Sequence, residues 1–142
     1  MKTIFLFFFI SISLFASNLN HHQVDIIEKI LSEISIDKKL KIWSDNPRIL
    51  RELKEHKRFQ VVNNMKQSNM VILEDKNNFT NACMCKSVFV LKYKLLSEIP
   101  KSFGALFWKK GRPNIVIIEP RIKFQSIKIS KALEPYLEEK VW

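Results

Sequence analysis

The chain has 142 residues, 46% apolar and 27% charged, with Lys+Arg exceeding Asp+Glu by 24 to 14 for a formal charge of +10, the profile of one ordinary globular domain. Its 2 Gly cannot supply a dinucleotide fingerprint or a P-loop, and its 2 Cys cannot supply a disulfide scaffold or a four-thiolate zinc site. The length excludes a large α/β barrel enzyme.

Residues 1–16 read as a secretory signal peptide. Lys2 is a short basic n-region, Ile4 to Ile10 is apolar throughout, and the apolar character continues through Phe15 to the small residue Ala16. The run falls short of the ~20 residues that span a bilayer, so an uncleaved anchor is the lesser alternative. No Cys sits near the junction, which argues against a lipid anchor. Residues 17–142 are then a single exported domain with no further membrane span, and the periplasm of a diderm envelope fits. The charge is discounted for composition. Lys, Ile, Asn and Phe number 19, 18, 10 and 11, while Ala and Gly number 4 and 2, a bias expected of an A/T-rich genome. The basic residues are scattered, without the Arg clusters and stacking platforms of a nucleic-acid surface, so nucleic acid is not an expected partner.

In chain order, residues 24–35 place Val24, Ile27, Leu31 and Ile34 on one helical stripe with Ile30 beside them. Leu40 to Trp43 alternates as a strand. Asp45-Asn46-Pro47 starts a helix, a capping side chain before Pro at the first helical position, and Ile49, Leu50 and Leu53 form its buried side up to about His56. Phe59 to Val62 reads as a strand, and Met70 to Leu73 as one covered on both faces. Residues 74–86 read as a loop containing both cysteines. Ser87 to Leu91 is again strand-like, Leu95, Leu96 and Ile99 have near-helical spacing, and residues 102–118 form a hairpin around Lys109-Lys110-Gly111-Arg112. Residues 121–125 suit a helical turn. Ser130 would cap a last helix burying Leu133 and Leu137, kinked at Pro135 or beginning there. The expected fold is α/β: one mixed sheet of five to six strands with helices packed on it, a parallel β-α-β unit near residues 40–62, and a C-terminal hairpin plus helix.

From Lys39 to Leu137 the pattern resembles the YfiR-like family of small periplasmic regulators. The carrying segments are Leu40 to Pro47, Met70 to Leu73, Val88 to Leu91, Phe103 to Ile118, and Ile127 to Leu133. Ile115 to Ile118 departs from the family in being apolar throughout. The resemblance implies a non-enzymatic module without a cofactor. It would bind the periplasmic part of a membrane signalling enzyme, often a cyclic-dinucleotide synthase, with cysteine redox state as a possible input.

Cys83-Met84-Cys85 is the sharpest local motif. A disulfide across two positions is geometrically awkward and readily reduced, which suits a redox switch. The same soft donors suit Cu(I), with Met65, Met70, His21 and His22 as candidates to join them. A third reading is a pair of structural thiols. Trp108, Lys109, Lys110 and Arg112 make an aromatic and basic hairpin tip fit for an acidic partner, or else a solvated turn with Trp108 in the core. No nucleophile elbow or zinc-protease His pair occurs. Glu28, Glu33, Glu52 and Glu55 read as ion-pairing helix faces, and Glu119 is the one carboxylate placed for a pocket. The expectation is therefore an exported, non-enzymatic partner-binding module; an envelope small-ligand or copper-binding protein is the alternative.

Overall fold

The computed structural model describes residues 22–36, 38–56, 59–80 and 86–142. The signal-peptide reading of residues 1–16, and the motif residues His21, Cys83, Met84 and Cys85, lie outside them.

Helix α1 spans 22–32. Its stripe is buried as the spacing predicts, with Val24, Ile27, Ile30 and Leu31 each 2% exposed or less. The helix stops before Ile34, which with Ser35 forms β1. Strand β2 (Lys41–Ser44) leads into α2 (Pro47–Glu55). Asn46 caps that helix: its side chain accepts from the amides of Arg48 and Ile49 at 3.0 and 3.3 Å. Pro47 takes the first position, where no N–H is needed. Ile49 and Leu53 are fully buried; truncating either to Ala would cost about 2–5 kcal/mol. Next come β3 (Gln60–Val61), β4 (Met70–Leu73), β5 (Ser87–Val90) and the one-turn helix α3 (Leu95–Glu98). A 3-10 turn at Lys76–Asn78 breaks what reads as plain loop. Strands β6 (Ser102–Lys109) and β7 (Arg112–Ile118) form the expected hairpin, followed by α4 (Glu119–Phe124) and β8 (Lys128–Ile129).

The C-terminal segment differs from a last α-helix. Ser130 does cap it, accepting from the Ala132 amide, but Lys131–Tyr136 is a 3-10 helix. Pro135 lacks the N–H that an α-helical turn would use. The chain then extends, and Leu137–Glu138 becomes β9. This is the seventh strand of a sheet for which five to six were expected.

The sheet order is β3-β2-β4-β5-β6-β7-β9. All neighbours are parallel except β6 and β7, so the sheet is mixed and the β2-α2-β3 unit is parallel. Strand β4 has no exposed residue, as its continuous apolar run requires. One face is covered by α1, α2, α4 and Leu133, the other by Leu95, Leu96 and Ile99 around α3. A bulge opposes Val88–Phe89 to Ser102–Gly104, leaving Phe103 as the extra residue. It turns Phe103 onto the Phe89 side, where the rings sit 5.7 Å apart. A separate two-stranded ladder pairs β1 with β8, Ile34 opposite Ile129.

Candidate functional site

The hairpin β6–β7 turns on two residues, Lys110 at φ 53° and Gly111 at φ 73°. Positive φ at both central positions is the primed turn whose twist matches paired strands. It closes with Lys109 opposite Arg112 and Trp108 opposite Pro113. Lys109, Lys110 and Arg112 are exposed together at the tip. The Asn114 side chain donates to the Arg112 carbonyl at 3.1 Å, bracing the start of β7. Trp108 is half-buried and packs against the larger core cluster. Its indole N–H is buried without a hydrogen-bond partner. The tip is therefore a three-cation cluster with the Trp behind it.

Strand β9 pairs only with Ile117 and Ile118 of β7. Among the described residues, the outer edge of β7 from Arg112 to Val116 carries no strand. Pro113 lies on that stretch and lacks an amide, which limits its use as a ladder. Beside it, His22, Ile26 and Ile30 of α1 face Ile115, Leu133 and Tyr136 across a cavity of about 720 Å³. On the other face, Phe107 packs edge-on to Tyr93, centroids 5.1 Å apart. The Tyr93 hydroxyl accepts from the Trp142 amide at 2.9 Å.

The Cys83-Met84-Cys85 motif lies outside the described residues. Lys86 follows it directly. The Lys86 ammonium donates to the carbonyls of Met65, Lys66 and Ser68, anchoring the entry to β5. The thioethers named for a soft-metal site do not converge. Met70 is fully buried in the cluster on one face of the sheet, and Met65 packs against the cluster on the other. His22 sits in the α1–β7 cavity. Among the described residues, no group of three or more His, Cys, Asp or Glu is arranged to hold a metal.

Two of the carboxylates singled out in the sequence, Glu119 and Glu28, are engaged in structure. Glu119 opens α4 and accepts from Lys123 at 2.8 Å. That hydrogen bond, with the charge behind it, raises the Lys123 pKa. Glu28 meets His56, the C-cap of α2, at 3.3 Å. Composition and spacing gave no warning of Asp45. The parallel order changes direction between β2 and β4, and crevices at such points are the usual ligand sites of open α/β sheets. Here Asp45 occupies it. Its carboxylate accepts from the amides of Glu74 and Asp75, both at 2.9 Å, and from the Asn78 side chain at 3.0 Å. The Asn46 amide group donates to Glu74 at 2.8 Å. The chain thus places its own carboxylate on the donors that an anion would use, and the crevice acts as a clamp between two strand ends.

No helix among the described residues is long and apolar enough to cross a membrane. No family model, curated protein or solved structure matches the chain.

Proposed function

We propose that the chain is an exported, non-enzymatic regulatory module of the periplasm. It docks through the β6–β7 hairpin onto an acidic segment of a membrane-associated signalling protein. One observation carries this reading: the exposed cations Lys109, Lys110 and Arg112 share a primed turn with a strand edge that β9 leaves uncovered from Arg112 to Val116. An acidic partner segment would meet the tip charges first, and such pairing governs approach and register more than final affinity. The edge beyond Pro113, at Asn114 to Val116, and its flanking cavity would then receive the segment's backbone and apolar side chains.

Cys83 and Cys85 supply the regulatory input in this reading. Oxidation to a disulfide forms one S–S bond and gives two protons and two electrons to the thiol oxidants of an extracytoplasmic compartment. The motif feeds straight into β5, which is the sheet neighbour of β6. The alternative is an envelope soft-metal protein using the same two thiolates for Cu(I).

The test is a photo-crosslinker at position 110 in the native envelope. The expected product is a covalent adduct with a membrane protein. It is lost in the Lys109→Glu/Arg112→Glu variant and altered in yield by Cys85→Ser. An adduct pattern indifferent to the charge reversal would refute docking at the tip. Copper carried by the wild-type protein and lost in Cys85→Ser would favour the alternative.

A further inference from the structure

A second cavity, of about 630 Å³, opens where β5 and β6 begin and α4 passes over them. Its size is that of a small-molecule site. Lys86, Lys101 and Arg121 line it, with Pro100, Pro120 and Phe124, and among the described residues no carboxylate does. The three cations are not equivalent. The Lys86 ammonium is committed to the carbonyls described above. Arg121 is held by one nitrogen: Nη1 donates to the carbonyls of Leu96 and Ser102 at 2.7 and 2.8 Å. That grip fixes the guanidinium plane. The group is half-buried, and among the described residues no Asp or Glu forms an ion pair with it. Burial lowers its pKa from the ordinary value, yet a guanidinium stays charged at neutral pH. A partly desolvated cation without a counter-ion is an unfavourable arrangement that an anion would relieve.

The apolar side of the cavity is equally distinctive. Phe124 is 89% exposed, the most exposed of the large hydrophobic residues among those described. It stands three residues after Arg121 on α4, so the two share a helix face. Gln125 donates to the Lys101 carbonyl at 3.0 Å and ties the opposite wall to the same helix. One wall thus presents fixed positive charge, and beside it stands an aromatic ring that, among the described residues, is left exposed.

We infer that this groove binds an amphiphilic organic anion, a carboxylate or phosphate monoester with an apolar body. The anionic group pairs with Arg121 and Lys101. The apolar body lies on Phe124, Pro100 and Pro120. This site is separate from the hairpin tip and does not depend on it.

Calorimetric titration of the full chain with octyl phosphate, below its micelle concentration, tests the assignment. The expected result is one-to-one binding, weakened about tenfold by Phe124→Ser and by Lys101→Glu, with octyltrimethylammonium failing to bind. Urea midpoints of both variants show whether they remain folded, and Phe124→Ser, made at an exposed position, keeps the test open should Lys101→Glu unfold. Sedimentation with phosphatidylglycerol vesicles separates the two sources of this chemistry. Binding of octyl phosphate without vesicle retention assigns a free amphiphile. Vesicle retention that both variants abolish assigns a lipid headgroup. No binding to either probe, equal binding of octyltrimethylammonium, or folded variants that bind like wild type would overturn the inference.

Discussion

Replacing Gly104 by Ala would place a Cβ 2.8 Å from the Val116 carbonyl oxygen and 3.1 and 3.2 Å from two ring carbons of Phe89. Carbon–oxygen contacts between strands ordinarily sit at about 3.3–3.6 Å. The carbonyl belongs to the paired strand β7 and cannot swing aside as a side chain would. Either the hairpin opens or the Phe89 ring moves against Phe103. Overpacking of this kind costs about 1–3 kcal/mol, and Ala recovers about 0.5–1 kcal/mol through the unfolded chain. The net expectation is a loss centred on about 1 kcal/mol, which lowers the urea midpoint by about 0.5 M at unchanged slope. Gly111→Ala provides the contrast. Nothing lies within 4 Å of its added Cβ, and the cost arises from φ +73° alone. Gly111→Asn should therefore recover most of the loss, whereas Gly104→Asn should worsen it. A Gly104→Ala midpoint at or above wild type would refute the packing argument. Full rescue of Gly104→Ala by Phe89→Leu would show that the ring, not the carbonyl, is the obstacle.

Asp45→Ala removes a carboxylate that satisfies two backbone amides and one side chain. Hydrogen bonds to charged groups are worth about 1.5–3 kcal/mol when buried. For this half-buried site a loss of about 1–2 kcal/mol is expected on denaturant unfolding, with no effect on crosslinking from position 110; an unchanged midpoint would show the clamp to be idle. Intact mass of protein recovered from the envelope, with and without reductant and alkylation, should show two protons missing at Cys83 and Cys85, restored by mild reductant. Two freely alkylated thiols without adduct would remove the redox input. At Lys123 the folded pKa is raised by Glu119, so any stabilisation from the pair is present below the ordinary lysine range and fades as pH rises through the folded value. Glu119→Gln should lower the Lys123 titration midpoint in an NMR titration, and an unmoved midpoint would discount the pair.

The elements that could be read in advance are those whose causes are local. The α1 stripe, the Asn46-Pro47 start and the four-residue run of β4 each carry their signal within one or two turns of chain. So does the Lys110-Gly111 turn. The features that escaped are set from a distance. Strands β1, β8 and β9 have two residues each, too few for any periodicity, and exist only because a partner segment lies alongside. Ile34 looks like the end of a helical stripe until Ile129 arrives beside it. Asp45 reads as part of a helix start, and its reach to Glu74 and Asp75 follows from the order of the sheet. At the candidate site, the charges of the tip were evident. The uncovered edge of β7 was not, since it depends on how far β9 extends. Arg121 and Phe124 looked like an ordinary helical turn until the ends of β5 and β6 were placed beneath them.

The β1–β8 ladder also bears on how the chain assembles. The Ser130 hydroxyl donates to Glu33 across 97 positions of sequence, and the Ser130 amide donates to the Glu33 carbonyl at 3.0 Å. Closing a loop of that length carries an entropic cost that later contacts must offset, and parallel pairings are slow for the same reason. The N-terminal helix therefore gains its last support only when residues near 130 are in place. Until that segment has joined the structure, α1 lacks this latch, so the ladder is a late contact that closes nearly the whole of the described fold into one unit.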